Sequence, residues 1–335
     1  MSVINFAYYI FQTGRKGRLD VTSTTQEATR AIADRRYAGG LALALTSATS
    51  FGLSGSLARS LLDLGWSPAA VVATRVGGAF LVLLIPCVFL LRRIGLPTGR
   101  QGARILAYGA VAIALAQLCY FSAVQYLSVG VALLLEYLAP VMLIVWHWAR
   151  THRRPAVPVL AGAGLSIVGL AFVLDLRGGL TLNPIGVAWG LGAALCLCAY
   201  FLLSEDNGAD APVNPLLLTT AGTGVGAALL LAAGAVGILP LTAHAGVTIL
   251  ADQAVGWWLP AALLILMSAV LAYPTGIVAV RRLGSSLASF VSLTEVIFAV
   301  VFAFVLLGQQ PGPMQLVGGA LILTGIALVK RPRVR

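Results

Sequence analysis

From residue 39 onward the chain alternates between long apolar runs and short interruptions made of charge, Gly and Pro. A helix needs about 20 predominantly apolar residues to cross the hydrocarbon core of a bilayer. The runs have that length, and they predict spans at 39–58, 69–91, 104–123, 127–149, 156–175, 184–203, 213–236, 257–279, 286–307 and 313–330. The weakest division lies between the third and fourth, where Tyr126, Leu127 and Ser128 hardly interrupt the apolar sequence. Joining them would give nine spans and put the termini on opposite sides.

The polar interruptions choose between these readings. With ten spans, one side collects Arg30, Arg35 and Arg36, then Arg92, Arg93, Arg100 and Arg104, then Arg150, Arg153 and Arg154, then Arg281 and Arg282, and finally Lys330, Arg331, Arg333 and Arg335. The other side receives Arg59 and Arg177. Basic loops stay on the cytoplasmic side, so the expectation is ten spans in a cell (inner) membrane with both termini cytoplasmic. The loop with Glu205, Asp206 and Asp210 lacks a basic residue, which matters little because acidic residues contribute little to the rule. Residues 1–38, with Arg15, Lys16, Arg18, Asp20, Glu27 and Asp34 among Ser and Thr, read as a cytoplasmic tail without the pattern of a secretory signal. Residues 331–335 form a basic C-terminal tail.

Composition agrees: 59% of residues are hydrophobic, 10% are charged, and mean hydropathy is +0.94. A soluble domain carries about a quarter charged residues. The net charge of +11 does not point to nucleic acid, because the basic residues are parcelled between apolar segments instead of clustering on a face with stacking aromatics. Cys87, Cys119, Cys196 and Cys198 all fall inside apolar stretches, where they read as helix packing and neither a disulfide framework nor a metal site is expected.

The chain also pairs with itself. An offset of 156 aligns Gly162-Ala163-Gly164-Leu165 with Gly318-Gly319-Ala320-Leu321, Gly169 with Gly325, Leu127 with Leu283, and Ala132 with Ala288. Earlier in each half the offset is 147 at Pro68 and Pro215, and 146 at Gly40 and Gly186. The additional residues fall around 237–256. Two five-helix units over 39–175 and 184–330 follow, and because five is odd the second enters from the opposite face. The fold class expected is therefore all-α, with ten transmembrane helices as two inverted five-helix repeats, the arrangement that supports alternating access.

Three ionisable residues lie well inside the spans: Arg75, Glu136 and Glu295. Each costs several kcal/mol in hydrocarbon, with estimates from about 2.5 upward, so they should face a cavity or one another. Glu136 lies four residues before Pro140, which has no N–H to give the carbonyl of residue 136, so the fourth helix is opened beside a buried carboxyl. Opened helices are tolerated where they line a cavity. Glu295 lies three residues from the symmetric register of Glu136, with Ser292 on the same face. The pair reads either as a holder of cationic or zwitterionic substrate and carrier of protons, or as structural anchors between helices. Arg75, flanked by Gly77 and Gly78, reads as a carboxylate binder or as a tether. Gln117, Tyr120, Tyr137, Tyr200 and Tyr273 are further cavity candidates, and Gln117 and Tyr273 share one position under the 156 offset. Tyr120 and Tyr273 lie near loops, where an interfacial anchor is the alternative.

Enzymatic readings fare poorly. Gly52-Leu53-Ser54-Gly55 matches an intramembrane serine protease pattern, but His147, His152 and His244 all lie near span ends or in a loop, away from Ser54. No Gly-x-x-x-x-Gly-Lys-Ser/Thr is present, so no ATP site and no other cofactor is expected.

Ten spans in two repeats, Leu135-Glu136-Tyr137-Leu138-Ala139-Pro140-Val141 in the fourth span, Leu293-Thr294-Glu295-Val296-Ile297-Phe298-Ala299 in the ninth, and Gly-rich fifth and tenth spans together resemble the EamA-type transporters of the drug/metabolite transporter superfamily. The resemblance covers 39–330. It implies a membrane exporter of amino acids, related metabolites or toxic compounds, with a small-molecule substrate held near the midplane. Val296 stands where many relatives have Pro, so the second repeat need not share the opened helix, and Gln309-Gln310 replaces a common Gly-Glu. A lipid flippase or scramblase, working through a lateral groove, is the competing reading, and a membrane scaffold is a third. A lipid-facing polar stripe would favour the flippase, and an occluded polar pocket the exporter.

Overall fold

Ser67, Asn183 and Asn214 each precede a proline, and each uses its side-chain oxygen to accept an N–H from the first helical turn that follows. This pairing of a polar cap with proline at the first helical position starts a helix sharply. The computed structural model describes residues 34–329 apart from 125, 128, 153, 174–182, 206–212 and 309.

The chain forms α1 (Asp34–Leu62) and α2 (Pro68–Ile94). Next comes α3, made of Gly99–Ala107, a π-helical stretch Tyr108–Leu115 and Ala116–Val124. Then α4 runs in two segments, Val129–Glu136 and Ala139–Thr151, followed by α5 (Val157–Val173) and α6 (Pro184–Ser204). The remainder comprises α7 (Pro215–Ala235), strands β1 (Val247–Leu250) and β2 (Gln253–Gly256), and α8, made of Trp258–Ile265, a π-helical stretch Leu266–Leu271 and Ala272–Leu283. Last come α9, in segments Ser285–Ser292 and Thr294–Leu307, and α10 (Pro313–Leu328). Eight of these helices are long and apolar enough to cross a membrane, and α5 and α10 are shorter apolar helices. The protein is a mostly helical, multi-pass membrane protein.

Several expectations change in detail. The fold is helical throughout its spans, with one small addition: β1 and β2 pair antiparallel, with Val247 opposite Gly256 and Leu250 opposite Gln253, within what reads in sequence as a plain loop. α1 begins by Asp34, inside the segment assigned to the tail; residues 1–33 and 330–335 lie outside the described residues. The doubtful division after the third span coincides with a helix end: α3 ends at Val124, and the N–H groups of Tyr126 and Leu127 both bond Ala123 O.

Both broken helices have local causes. In α4, Val141 N–H bonds Leu138 O, and Pro140 offers no N–H, so the carbonyls of Glu136 and Tyr137 lose their usual helical donors. α9 is interrupted too, contrary to the latitude that Val296 gave it. There the hydroxyls of Ser289, Ser292 and Thr294 each donate to a carbonyl three residues back, and Leu293 and Val296 N–H also bond three residues back. Hydroxyls that compete for main-chain acceptors bend helices, and here they do so without proline.

Glycines set the closest approaches. A methyl carbon on Gly162 would lie 2.5 Å from Gly325 O, and one on Gly169 would lie 2.7 Å from Gly318 O, so α5 and α10 touch backbone to backbone. Elsewhere Gly40 of α1 abuts Leu283 of α8, while Gly186 of α6 abuts Leu127 beside α3. Likewise Gly52 of α1 abuts Glu295 O of α9, and Cys198 Sγ of α6 donates to Ala139 O of α4. In each pair the second contact joins the residues that the sequence offsets match to those of the first.

Candidate functional site

The polar centre is assembled where the two helix breaks face α2, α1 and α8. Arg75, on α2, donates from Nη1 to Ser54 Oγ of α1 at 3.2 Å and from Nη2 to Tyr273 Oη of α8 at 3.3 Å. Its Nε is buried with no hydrogen-bond partner. Tyr273 is 5% exposed and packs edge-on against Phe51, with ring centroids 5.1 Å apart. It is therefore an interior residue, and the interfacial-anchor alternative does not apply to it.

Glu136 closes the first segment of α4, and Tyr137 occupies the gap after it; Glu295 is the second residue of the second segment of α9. The Tyr137 phenol and the Glu295 carboxyl are hydrogen-bond partners. Glu136, Glu295 and Arg75 lie close enough to feel one another's charge, yet no ion pair within 4 Å joins Arg75 to either carboxyl among the described residues. Both glutamates are enclosed by protein while keeping part of their surface accessible. A guanidinium and two carboxyls are thus gathered in one part of the helical interior.

The remaining sequence candidates fall around this centre to different degrees. Tyr120 of α3 lies within electrostatic reach of both glutamates. Pro140 is buried behind the α4 break. Ser292 is turned back on Ser289 O. Gln117 is part-buried one turn before Tyr120 and joins none of the hydrogen bonds described above. Ser54, noticed in sequence only inside a protease-like motif, is a binding partner of Arg75; an arginine cannot serve as a base for it. Tyr108 was not singled out in sequence. It is fully buried, stacks on Tyr200 at 5.8 Å, and Tyr200 in turn lies 6.4 Å from Tyr273, so an aromatic file leads from the centre toward the end bearing Arg104 and Arg281.

At that basic end, Arg104 donates to the carbonyls of Leu203 and Glu205, and Arg281 to those of Ser204 and Val213, which tie down the C-terminus of α6. A separate cleft of about 310 Å³ lies there between Gly95, Gln101, Asn214 and Arg281, away from the two glutamates.

Apolar helices of spanning length enclosing ionisable residues make this a multi-pass membrane protein. The profile of the EamA-like transporter family matches the chain twice, at residues 38–175 and 184–331, and the chain belongs to that family. It is 27% identical over 279 residues to an uncharacterized transporter of Archaeoglobus fulgidus, covering 83% of this chain and 93% of that one. A solved crystal structure superposes with a TM-score of 0.69 at 18% identity, covering 88% of this chain and 98% of the other, a likeness of fold. Membership in a transporter family implies a small-molecule substrate.

Proposed function

We propose that the protein is a secondary exporter of small solutes that carry both a cationic and an anionic group, amino-acid-like or drug-like, and that it works by alternating access. The observation that carries this reading is the gathering of Arg75, Glu136 and Glu295 in one interior cluster without ion pairing. Buried charges are costly when unpaired, so a site that keeps them apart is suited to a ligand that completes both. In this reading the substrate carboxylate lies on Arg75, held by Ser54 and Tyr273, and its ammonium lies between Glu136 and Glu295. Tyr137 and Tyr120 supply the walls, and Pro140 and Ser292 maintain the two helix breaks. The carboxyls are also the candidates to carry protons if transport is coupled to them.

Ten spans arranged as two inverted repeats, 39–175 and 184–330, form part of the proposal. The double family match supports it, and so do the helix breaks at Glu136 and Ser292 and the π-helical stretches in α3 and α8, since each of these two features recurs at the 156 offset or within two residues of it. The basic residues support an inner-membrane orientation with both termini cytoplasmic. A lipid flippase needs a polar stripe toward the bilayer, whereas the outward face of α2 presents Leu81, Ile85 and Phe89 at 60–67% exposure, which favours an enclosed route.

The test is a ligand screen by thermal shift on purified protein, followed by counterflow in liposomes with the ligands found. Stabilisation by zwitterionic solutes and their exchange across the liposome membrane are expected; stabilisation by lipids alone would replace this reading with the lipid-handling one.

A further inference from the structure

The two halves differ most in the connection between α7 and α8, where the pairing offset rises from 147 to 156 and nine additional residues enter the chain. Those residues build the β1–β2 hairpin, and its contacts are specific. Upstream of it, Ser67 N–H bonds Thr242 O at 2.9 Å and Trp66 Nε1 donates to His244 O at 2.6 Å, fixing the loop to the start of α2. Within it, Thr248 Oγ1 donates to Ser60 O of α1 at 3.0 Å, and at its tip Ala251 N–H donates to Leu306 O near the end of α9 at 2.8 Å. Thr248 and Leu250 face inward and are buried, while Val247 and Ile249 face outward, each 67% exposed. Leu250 joins Leu57, Leu61 and Leu264 in a separate apolar cluster against which Leu306 packs. The hairpin thus bridges α1 and α9 at the end opposite the basic loops.

Those two helices flank the polar centre, with Ser54 on α1, Glu295 on α9, and Gly52 allowing them to touch. Ser60 is six residues beyond Ser54 and Leu306 eleven beyond Glu295, which at 1.5 Å per residue places the ties about 9 Å and about 16 Å past the centre. The tip itself is strained: Ala251 and Asp252 have φ of 51° and 58°, a left-handed conformation costly for residues with a side chain. The tie is one main-chain hydrogen bond to a helix-end carbonyl that water can replace, so it is suited to repeated opening.

We propose that the hairpin is a strap across the α1–α9 seam, and that its tip must leave Leu306 for the central site to open at this end. The inference rests on the transport reading and adds an asymmetry to it. Two matched halves would make the two open states alike, whereas a strap at one end alone favours closure there.

The test uses a cysteine-free background with Ser54→Cys as probe, labelled by a membrane-impermeant methanethiosulfonate from each side of oriented vesicles. Ala251→Pro removes the donor and the positive φ together, whereas Asp252→Gly relieves strain while keeping the tie. Labelling from the hairpin side is expected to rise at least threefold with Ala251→Pro and to fall by a similar factor with Asp252→Gly, with labelling from the basic side unchanged. Opposite signs distinguish a strap from general loosening. Separately, without the Ser54 probe, the pair Ala251→Cys and Leu306→Cys brings two cysteines across a 2.8 Å main-chain hydrogen bond, within reach of a disulfide. Its oxidation should stop solute exchange at least tenfold, reversibly on reduction. Equal labelling in all variants, or full exchange with the tip crosslinked, would overturn the proposal. If the parent exchanges no solute, the transport reading fails while the labelling still tests the strap.

Discussion

The phenol of Tyr137 and the carboxyl of Glu295 are hydrogen-bonded to each other across the breaks of α4 and α9. Each group lies at the point where its helix loses regular main-chain bonding, so the contact spans the two halves where both are least constrained. A hydrogen bond to a chargeable group contributes about 1.5–3 kcal/mol. Tyr137→Phe should lower stability by that order, and a double-mutant cycle with Glu295→Gln should return a coupling of the same size. A coupling near zero would mean that the two groups merely adjoin.

Glu136→Gln preserves shape and removes the charge. Solute exchange in liposomes should fall at least tenfold while the melting temperature of the ligand-free protein holds or rises, since burying a charge is what costs stability. Unchanged exchange would reduce Glu136 to a structural role.

Arg75 is held by two hydroxyls from different helices, and lysine cannot reproduce that forked geometry. Arg75→Lys is therefore expected to weaken binding of a zwitterionic ligand at least tenfold in calorimetry. Tyr273→Phe, which removes one hydrogen bond to the charged guanidinium worth about 1.5–3 kcal/mol, should weaken it by about tenfold or more.

The α5–α10 seam admits no side chain at Gly169, because a methyl carbon would meet the Gly318 carbonyl oxygen and Ile322 N at 2.7 and 2.8 Å. Backbone cannot step aside as a side chain can, so Gly169→Val should cost about 3 kcal/mol or more and abolish the monodisperse peak in size-exclusion chromatography. Gly164 has nothing within 4 Å. Gly164→Ala should stay within about 1 kcal/mol of the parent, and loss of folding there would contradict the packing described.

The break in α9 depends on hydroxyls, so it can be mended. Replacing Ser292 by Ala and Thr294 by Val should restore regular helix and slow amide exchange of residues 293–296 by about tenfold or more, read by hydrogen–deuterium exchange. Exchange as fast as in the parent would require another cause for the break.

The difference between the two breaks also explains what was legible in the sequence. Proline acts through its own ring, so Pro140 announces the opening of α4 wherever that residue stands in a span. Ser289, Ser292 and Thr294 open α9 only when all three hydroxyls turn back on the main chain, and nothing in residue type alone specifies that rotamer. Arg75, Glu136 and Glu295 were visible because charge in an apolar run is conspicuous. Ser54 and Tyr108 were not, since a serine or tyrosine in a span is ordinary until its partner is known, and Ser54 meets Arg75 from 21 residues away. The hairpin was registered only as surplus length, although Val247–Gly256 folds back as two four-residue strands around Ala251 and Asp252.

The seam between α5 and α10 has one more implication. Gly162 meets Gly325 and Gly169 meets Gly318, and the offset of 156 carries the first contact onto the second. Each helix thus presents one surface that is its own complement, the property of an interface between two copies of a single molecule. A gene encoding only half of this chain would already specify a partner, namely a second copy of itself.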